Sequence, residues 1–347
     1  MSDHSKPVTE DIVPPELRQS YKANGLVPLW ESVPGSVFGK QIEEAQIWRW
    51  STMLPIIQET AKIRAAHVLD RRVLLMTNLK RLHVWDEAGT GTLMFDFQCV
   101  MPGERATAHR HPMNALRFVV QCTGGVKSIV DGKDCAMEPG DLILTPGWCW
   151  HEHTNEGKDP IIWLDVLDVM LHHFLGTTGF QPGPARDLPA QLSDSAFAHA
   201  GIVPKLQGSD HASRGYSPIF RYPWVEAVEA LAASPATPDG SREVRYTNPL
   251  TGGPAMDLID ASLLQLEPGK ATRKYKSSAA AMCIVVEGHG VSQIGDKSIE
   301  WSPHDVFTMP ANLWASHQAE GGTARIFQVS SREVYRRLGL FTEAFGE

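Results

Sequence analysis

The sequence predicts a mainly β protein made of two jelly-roll β-barrels, with a linker between them and an N-terminal helical extension in front. Two observations predict it. From Arg71 onward, short runs rich in Val, Ile, Leu and Phe alternate with turn signals, the texture of antiparallel barrels. The same ordered set of features then recurs in the second half of the chain, which marks an internal duplication.

Residues 1–70 read as the helical extension. Pro14-Pro15-Glu16-Leu17 has the form of a helix start, with proline in the first turn and an acidic residue behind it. Between Gln46 and Ala66, the residues Trp48, Trp50, Leu54, Ile57 and Ala61 recur at helical spacing, and Pro55 is expected to kink or divide that helix. The first barrel is expected over 71–180. Its strands are Arg72–Leu75, Leu93–Val100, Ala115–Gln121, Val126–Val130, Asp141–Thr145 and Pro160–Val169. Turns fall at Pro102-Gly103, Gly124-Gly125, Asp131-Gly132 and Glu138-Pro139-Gly140-Asp141. Residues 181–250 are proline-rich and read as a linker holding a helix near Trp224–Ala233; a second barrel follows over 251–347.

The duplication rests on matched features in one order. Pro102-Gly103-Glu104 parallels Pro268-Gly269-Lys270, and Phe118-Val119-Val120 parallels Ile284-Val285-Val286. Glu138-Pro139-Gly140-Asp141 parallels Ser302-Pro303-His304-Asp305, and Thr145-Pro146 parallels Met309-Pro310, each with a tryptophan following, Trp150 and Trp314.

Bulk properties exclude several function classes. A net charge of -8 and no extended basic run argue against nucleic-acid partners. No apolar run is long enough for a membrane span, and Met1–Glu10 is polar with no signal-like apolar stretch behind it. Five cysteines, an odd number without a CxxC pair, fit free thiols in a reducing compartment, so a cytoplasmic location is expected.

The chemistry concentrates in the first copy. Gly103 precedes His109-Arg110-His111; later Gly140 and Pro146 precede His151, with Asn155 after it. This order and spacing resemble the two-part cupin signature. Alternate side chains on a strand share a face, so His109 and His111 can both point inward while His151 arrives from a second strand. Three imidazoles converging in this way leave positions open on a divalent metal for substrate and oxygen. The slot where many cupins place a carboxylate ligand holds Ala115 or Leu116. Iron(II) held by neutral imidazoles alone keeps its full charge and favours an anionic chelator such as a salicylate. Arg117 is placed to pair with a carboxylate. His153, two residues past His151, suits a proton-handling role, and Asp165 can orient it from the neighbouring strand. Another metal-dependent cupin enzyme, or a non-catalytic ligand-binding bicupin, is an alternative reading.

Taken together, His109-Arg110-His111, Ala115-Leu116-Arg117-Phe118, Met137-Glu138-Pro139-Gly140-Asp141, Thr145-Pro146 and Trp150-His151-Glu152-His153 resemble gentisate 1,2-dioxygenase and its relatives acting on salicylate, 5-nitrosalicylate and 1-hydroxy-2-naphthoate. Asn24-Gly25-Leu26-Val27-Pro28-Leu29-Trp30 and Trp48-Arg49-Trp50 resemble that family too. The resemblance implies a bicupin fold, Fe(II), a small aromatic acid and O2 as substrates, and a homo-oligomer, often a tetramer. It implies oxygen insertion between the carboxyl- and hydroxyl-bearing ring carbons. It matches His109, His111 and His151 to the iron ligands, and Arg117, His153 and Asp165 to substrate or proton-handling positions. It also matches Gln98 to a pocket glutamine and Arg72 to a carboxylate-binding arginine. Asp96 departs from the small or aromatic residues the family places there; facing inward, it would repel an anion and accept a hydrogen bond from a hydroxyl or amine, and facing solvent is the equal alternative. In the second copy the ligand positions read Tyr275, Ser277 and Ala315, with His317 remaining, so that barrel is expected to be metal-free.

Overall fold

The computed structural model describes residues 14–26, 43–63, 72–78, 89–199, 202–205 and 215–346. Val27 to Trp30, part of the family-like N-terminal stretch, lie outside the described residues. The helix expected at Pro14-Pro15 spans Pro15–Ala23, with Pro15 in its first turn.

Two sheets build the first barrel. A six-stranded sheet runs in the order Arg221–Tyr222, Leu142–Thr145, Ala115–Gln121, Ile161–Leu167, Met94–Val100, Arg72–Leu75. A five-stranded sheet runs Gln181–Pro182, Arg105–Arg110, His151–Asn155, Val126–Val130, Lys133–Ala136. The strands expected from the sequence form within a residue or two of their expected ends. The second barrel belongs to one nine-stranded sheet, because its two longest strands, Ala281–Ile294 and Ala315–Ser330, bend through both layers without breaking. In the first barrel, Gly124-Gly125 and the turn after Asn155 divide the equivalent strands in two.

Alternation along each strand sorts the six-stranded sheet into two faces. One carries Asp96, Gln98, Arg117, Trp163 and Asp165 into the first barrel. The other carries Phe95, Phe97, Cys99, Phe118, Leu164 and Val166 into an apolar layer that also takes in Ile284, Phe327 and Val329 of the second barrel. Phe118 stacks on Phe327 at 4.3 Å between ring centroids. Ile161–Leu167 is buried on both faces, which is why it reads as an almost unbroken apolar run.

The duplication reaches further back than the barrels. In the stretch expected to be wholly helical, Ile47–Trp48 is a strand that pairs with Val306–Met309 of the second barrel, and the helix Trp50–Ile63 follows. Pro55 lies inside that helix without dividing it. In the linker, Arg221–Tyr222 pairs with Leu142–Thr145 of the first barrel, and the helix Trp224–Ala233 follows. Each strand-and-helix arm precedes one barrel in sequence and docks on the other. The docking chemistry repeats as well. Asp305 accepts from the Trp50 amide (2.7 Å) and from Arg49 (3.1 Å); Asp141 accepts from the Trp224 amide (2.9 Å) and from Arg221 (2.8 Å). Each carboxylate thus satisfies an otherwise unpaired amide at a helix N-terminus and sits at its positive end. Gly140, at φ +87°, permits the close approach: a Cβ there would lie 2.6 Å from the Trp224 ring.

All five cysteines are free thiols. Among the described residues, no helix is long and apolar enough to cross a membrane.

Candidate active site

His109 lies on Arg105–Arg110, His151 and His153 on His151–Asn155, and the two strands pair with His109 opposite His151. His111 falls just past the end of its strand, where the chain turns through Pro112 and Met113. That turn is pinned by Asn114, which donates to Asp168 from its amide and its side chain, at 2.8 Å each. Arg117, six residues beyond His111, therefore lies on a different strand and not on a shared strand face, as the even spacing of the two would suggest for one regular strand. They converge because the turn redirects the chain across the barrel.

Each of the three imidazoles is held by a backbone carbonyl. Nδ1 of His109 bonds the Thr107 oxygen at 2.7 Å, Nδ1 of His111 the Met113 oxygen at 2.9 Å, and Nδ1 of His151 the Cys149 oxygen at 3.0 Å. A carbonyl only accepts, so Nδ1 carries the proton and Nε2 carries the lone pair in all three. The ligand atoms of the three lie within 4.8 Å of one another, and all three residues are buried. His151 Nε2 is buried with no hydrogen-bond partner. Burial first, then the Arg117 cation and the neighbouring imidazoles, hold the His151 pKa well below its usual range. Oriented, buried imidazoles with their Nε2 atoms left for a ligand are a donor set for a divalent transition metal. Among the described residues, this is the only such group of three.

The wall facing the trio is a row across three strands. Asp96 lies opposite Asp165, and Asp165 opposite Arg117. Arg117 Nε pairs with Asp165 Oδ1 at 3.1 Å, and its Nη1 donates to Thr145 Oγ1. Trp163 Nε1 donates to the other Asp165 oxygen at 2.9 Å. Gln98 is buried on the same face, and its Nε2 is a donor with no hydrogen-bond partner. His153 faces Trp163 at 5.0 Å between ring centroids.

Arg72 corrects one expectation. It pairs in register with Cys99, on the sheet face opposite Gln98 and Asp96. Its buried guanidinium makes a two-pronged ion pair with Glu104 on that side. One step of strand parity turns it from the pocket.

Three contacts escape the sequence reading. Trp163 and Thr145 brace the Arg117–Asp165 pair; Trp163 has a signal, since it precedes Asp165 by two on one strand. Phe180 stacks on His109 at 5.3 Å between centroids and comes from a proline-rich stretch with no such signal.

The second barrel repeats the geometry without the chemistry. Tyr275 lies opposite Ala315, as His109 does opposite His151. The wall row reads Ser262, Gln328 and Cys283, with no charge. His317 bonds Ser292 at 2.6 Å, and burial lowers its pKa to about 4. A cavity of about 1160 Å³ opens here, lined by residues including Glu243, Arg245, Asp260, Tyr275, His317 and Arg332. Its size does not make it the catalytic site, because no metal-ligating trio converges on it among the described residues.

Comparison with known proteins agrees with this geometry. A cupin-domain family profile matches residues 96–167. A 5-aminosalicylate 1,2-dioxygenase from Comamonas sp. is 33% identical over 306 residues, covering 86% of this chain and 80% of the relative. The gentisate 1,2-dioxygenase 1 of Aquipseudomonas alcaligenes is 33% identical over 339 residues, covering 95% of each. The solved structure of salicylate 1,2-dioxygenase from Pseudoaminobacter salicylatoxidans, as adducts with gentisate, superposes with a TM-score of 0.85 at 28% identity, covering 97% of each chain.

Proposed function

The chain belongs to the family of gentisate and salicylate 1,2-dioxygenases, and on that premise we propose that it opens the ring of a 5-substituted salicylate, gentisate included, at an iron(II) ion held by His109, His111 and His151. The observation that carries the reading is the convergence of three buried imidazoles, each with its Nδ1 committed to a backbone carbonyl. Bound there, iron(II) supplies a Lewis-acidic, redox-active centre with positions open to a chelating substrate and to O2. The set of three neutral donors without a carboxylate leaves the ion's charge for an anionic ligand.

The protein's own residues do the rest. Arg117, held by Asp165 and Thr145, presents its remaining N–H groups to the substrate carboxylate. Gln98 offers a buried N–H donor to a substrate oxygen. His153 takes the proton of the ring hydroxyl; its place two residues along the strand from His151 keeps it beside the trio. Arg72 has no part in this reading. The bond that breaks joins the carboxyl- and hydroxyl-bearing ring carbons. Both atoms of O2 enter the product, an oxo dicarboxylic acid, so no external reductant is needed. The five free thiols support a reducing, cytoplasmic setting, and family resemblance supports a homotetramer.

The test is anaerobic loading with Fe(II), followed by oxygen uptake with gentisate, salicylate, 5-aminosalicylate, 5-nitrosalicylate and 1-hydroxy-2-naphthoate. We expect one O2 consumed per ring opened with at least one of these acids. No uptake with any of them by an iron-loaded protein overturns the reading.

A further inference from the structure

We propose that Trp163 is a positioning residue for substrate binding: through Asp165, it holds the Arg117 guanidinium in the attitude that receives the substrate carboxylate. This rests on the ring-cleaving reading and adds to it the group that sets the geometry of its carboxylate site.

The strand supplies the placement. Trp163 is fully buried and lies two residues before Asp165 on Ile161–Leu167, so both side chains face the first barrel. A bulge falls at this point. Ile162 pairs with Gln121 but Trp163 pairs with Val119, which leaves Val120 as an extra residue in the neighbouring strand. From Trp163 onward the pairing is regular, and it brings Arg117 directly opposite Asp165.

The contacts divide the Asp165 carboxylate between two partners. Oδ2 accepts from Trp163 Nε1 at 2.9 Å, and Oδ1 lies 3.1 Å from Arg117 Nε. A rigid, packed indole on one oxygen sets the plane of the carboxylate. It thereby sets the direction in which the other oxygen meets the guanidinium. Thr145 Oγ1 accepts from Arg117 Nη1. A guanidinium is planar, so two contacts with fixed partners orient the whole fork. The Trp163 ring also packs against His153, 5.0 Å between centroids. The indole therefore has two separable parts: its N–H serves Asp165, and its ring serves His153.

The chemistry of the contact then decides what the N–H is worth. Two-pronged recognition of a carboxylate by a guanidinium depends on angle as well as distance. Without the Trp163 N–H, the Asp165 carboxylate turns and Arg117 turns with it. The cost falls on ligands that carry a carboxylate, and not on those that chelate a metal through hydroxyls alone. A residue that only filled the core would weaken both kinds alike.

The experiment measures anaerobic dissociation constants on the iron-loaded protein for gentisate and for 1,2,4-trihydroxybenzene, in which a hydroxyl replaces the gentisate carboxylate. Trp163→Phe keeps a ring against His153 and removes the N–H. It is expected to weaken gentisate about 10-fold or more, the order of one hydrogen bond to a charged group, and the triol by less than about 2-fold. The benzothienyl analogue of tryptophan at the same position, with sulfur in place of N–H, keeps the whole ring. It should show the same acid-selective loss, and it decides the matter if Trp163→Phe does not fold. Added to the Arg117→Ala, Asp165→Asn double variant, Trp163→Phe should weaken gentisate no further, the signature of a residue acting through Arg117. Equal weakening of the acid and the triol, or no weakening of the acid, overturns the proposal. A wild type that does not bind gentisate, or whose affinity that double variant leaves unchanged, overturns it too. Binding is read without turnover. A wild type that binds gentisate but cleaves none of the acids therefore overturns the ring-cleaving reading, while the dissociation constants still decide this proposal.

Discussion

Replacing His151 with alanine is expected to strip the protein of its metal and take ring cleavage to background. His151 is 1% exposed, its Nδ1 is committed to the Cys149 carbonyl, and its Nε2 has no protein partner. A ring so placed offers its lone pair to nothing but a bound ion. Removing it leaves two donors, and no carboxylate stands at Ala115 or Leu116 to replace the third. Losing an outer hydrogen-bond partner of a ligand weakens metal affinity about 10- to 100-fold, and losing the ligand itself must exceed that. Metal analysis and oxygen uptake check both halves. His317→Gln in the second barrel is the control, expected to keep metal and turnover. A His151→Ala protein with full metal content and full activity would contradict the site.

Arg117→Ala is expected to damage stability as much as catalysis. Its guanidinium and the Asp165 carboxylate are both almost fully buried, with Arg117 Nε 3.1 Å from Asp165 Oδ1. Truncating one partner leaves the other charged in a low-dielectric interior, at about 3–5 kcal/mol. Against a total stability of about 5–15 kcal/mol, that is a large share. The substrate carboxylate loses its partner in the same stroke. Combining Arg117→Ala with Asp165→Asn separates the effects. The amide oxygen still accepts from Trp163, the stranded charge is gone, and much of the stability should return while turnover does not. Urea unfolding and kcat/KM report the two separately. An Arg117→Ala protein as stable as wild type would show that the pair is not structural.

Much of this was legible in the sequence, for identifiable reasons. Strands of the first barrel announce themselves because period-two alternation and glycine or proline turns depend on local chemistry. The histidine trio is legible because strand parity and the Gly-Asp and Pro turns bring it together. Asp165 stands out as the one charge in Ile161–Leu167, a strand buried on both faces. Other features depend on distant partners. The arms that cross between barrels rest on Asp141 and Asp305, each far in sequence from the helix it caps. Their signal is faint, a matching Trp50 and Trp224 at the two helix starts. Arg72 shows how much hangs on register, since a single residue of strand parity moves it from the pocket to the Glu104 side of the sheet.

The account depends most on where the metal sits. X-ray absorption at the iron edge of the Fe(II)-loaded protein, with anomalous diffraction from its crystals, reports both ligand type and position. The account predicts one iron per chain, in the first barrel, with three imidazole nitrogens from His109, His111 and His151 at about 2.0–2.2 Å and light oxygen donors completing the shell. Iron bound in the second barrel, or a first shell with fewer than three imidazoles, would contradict it.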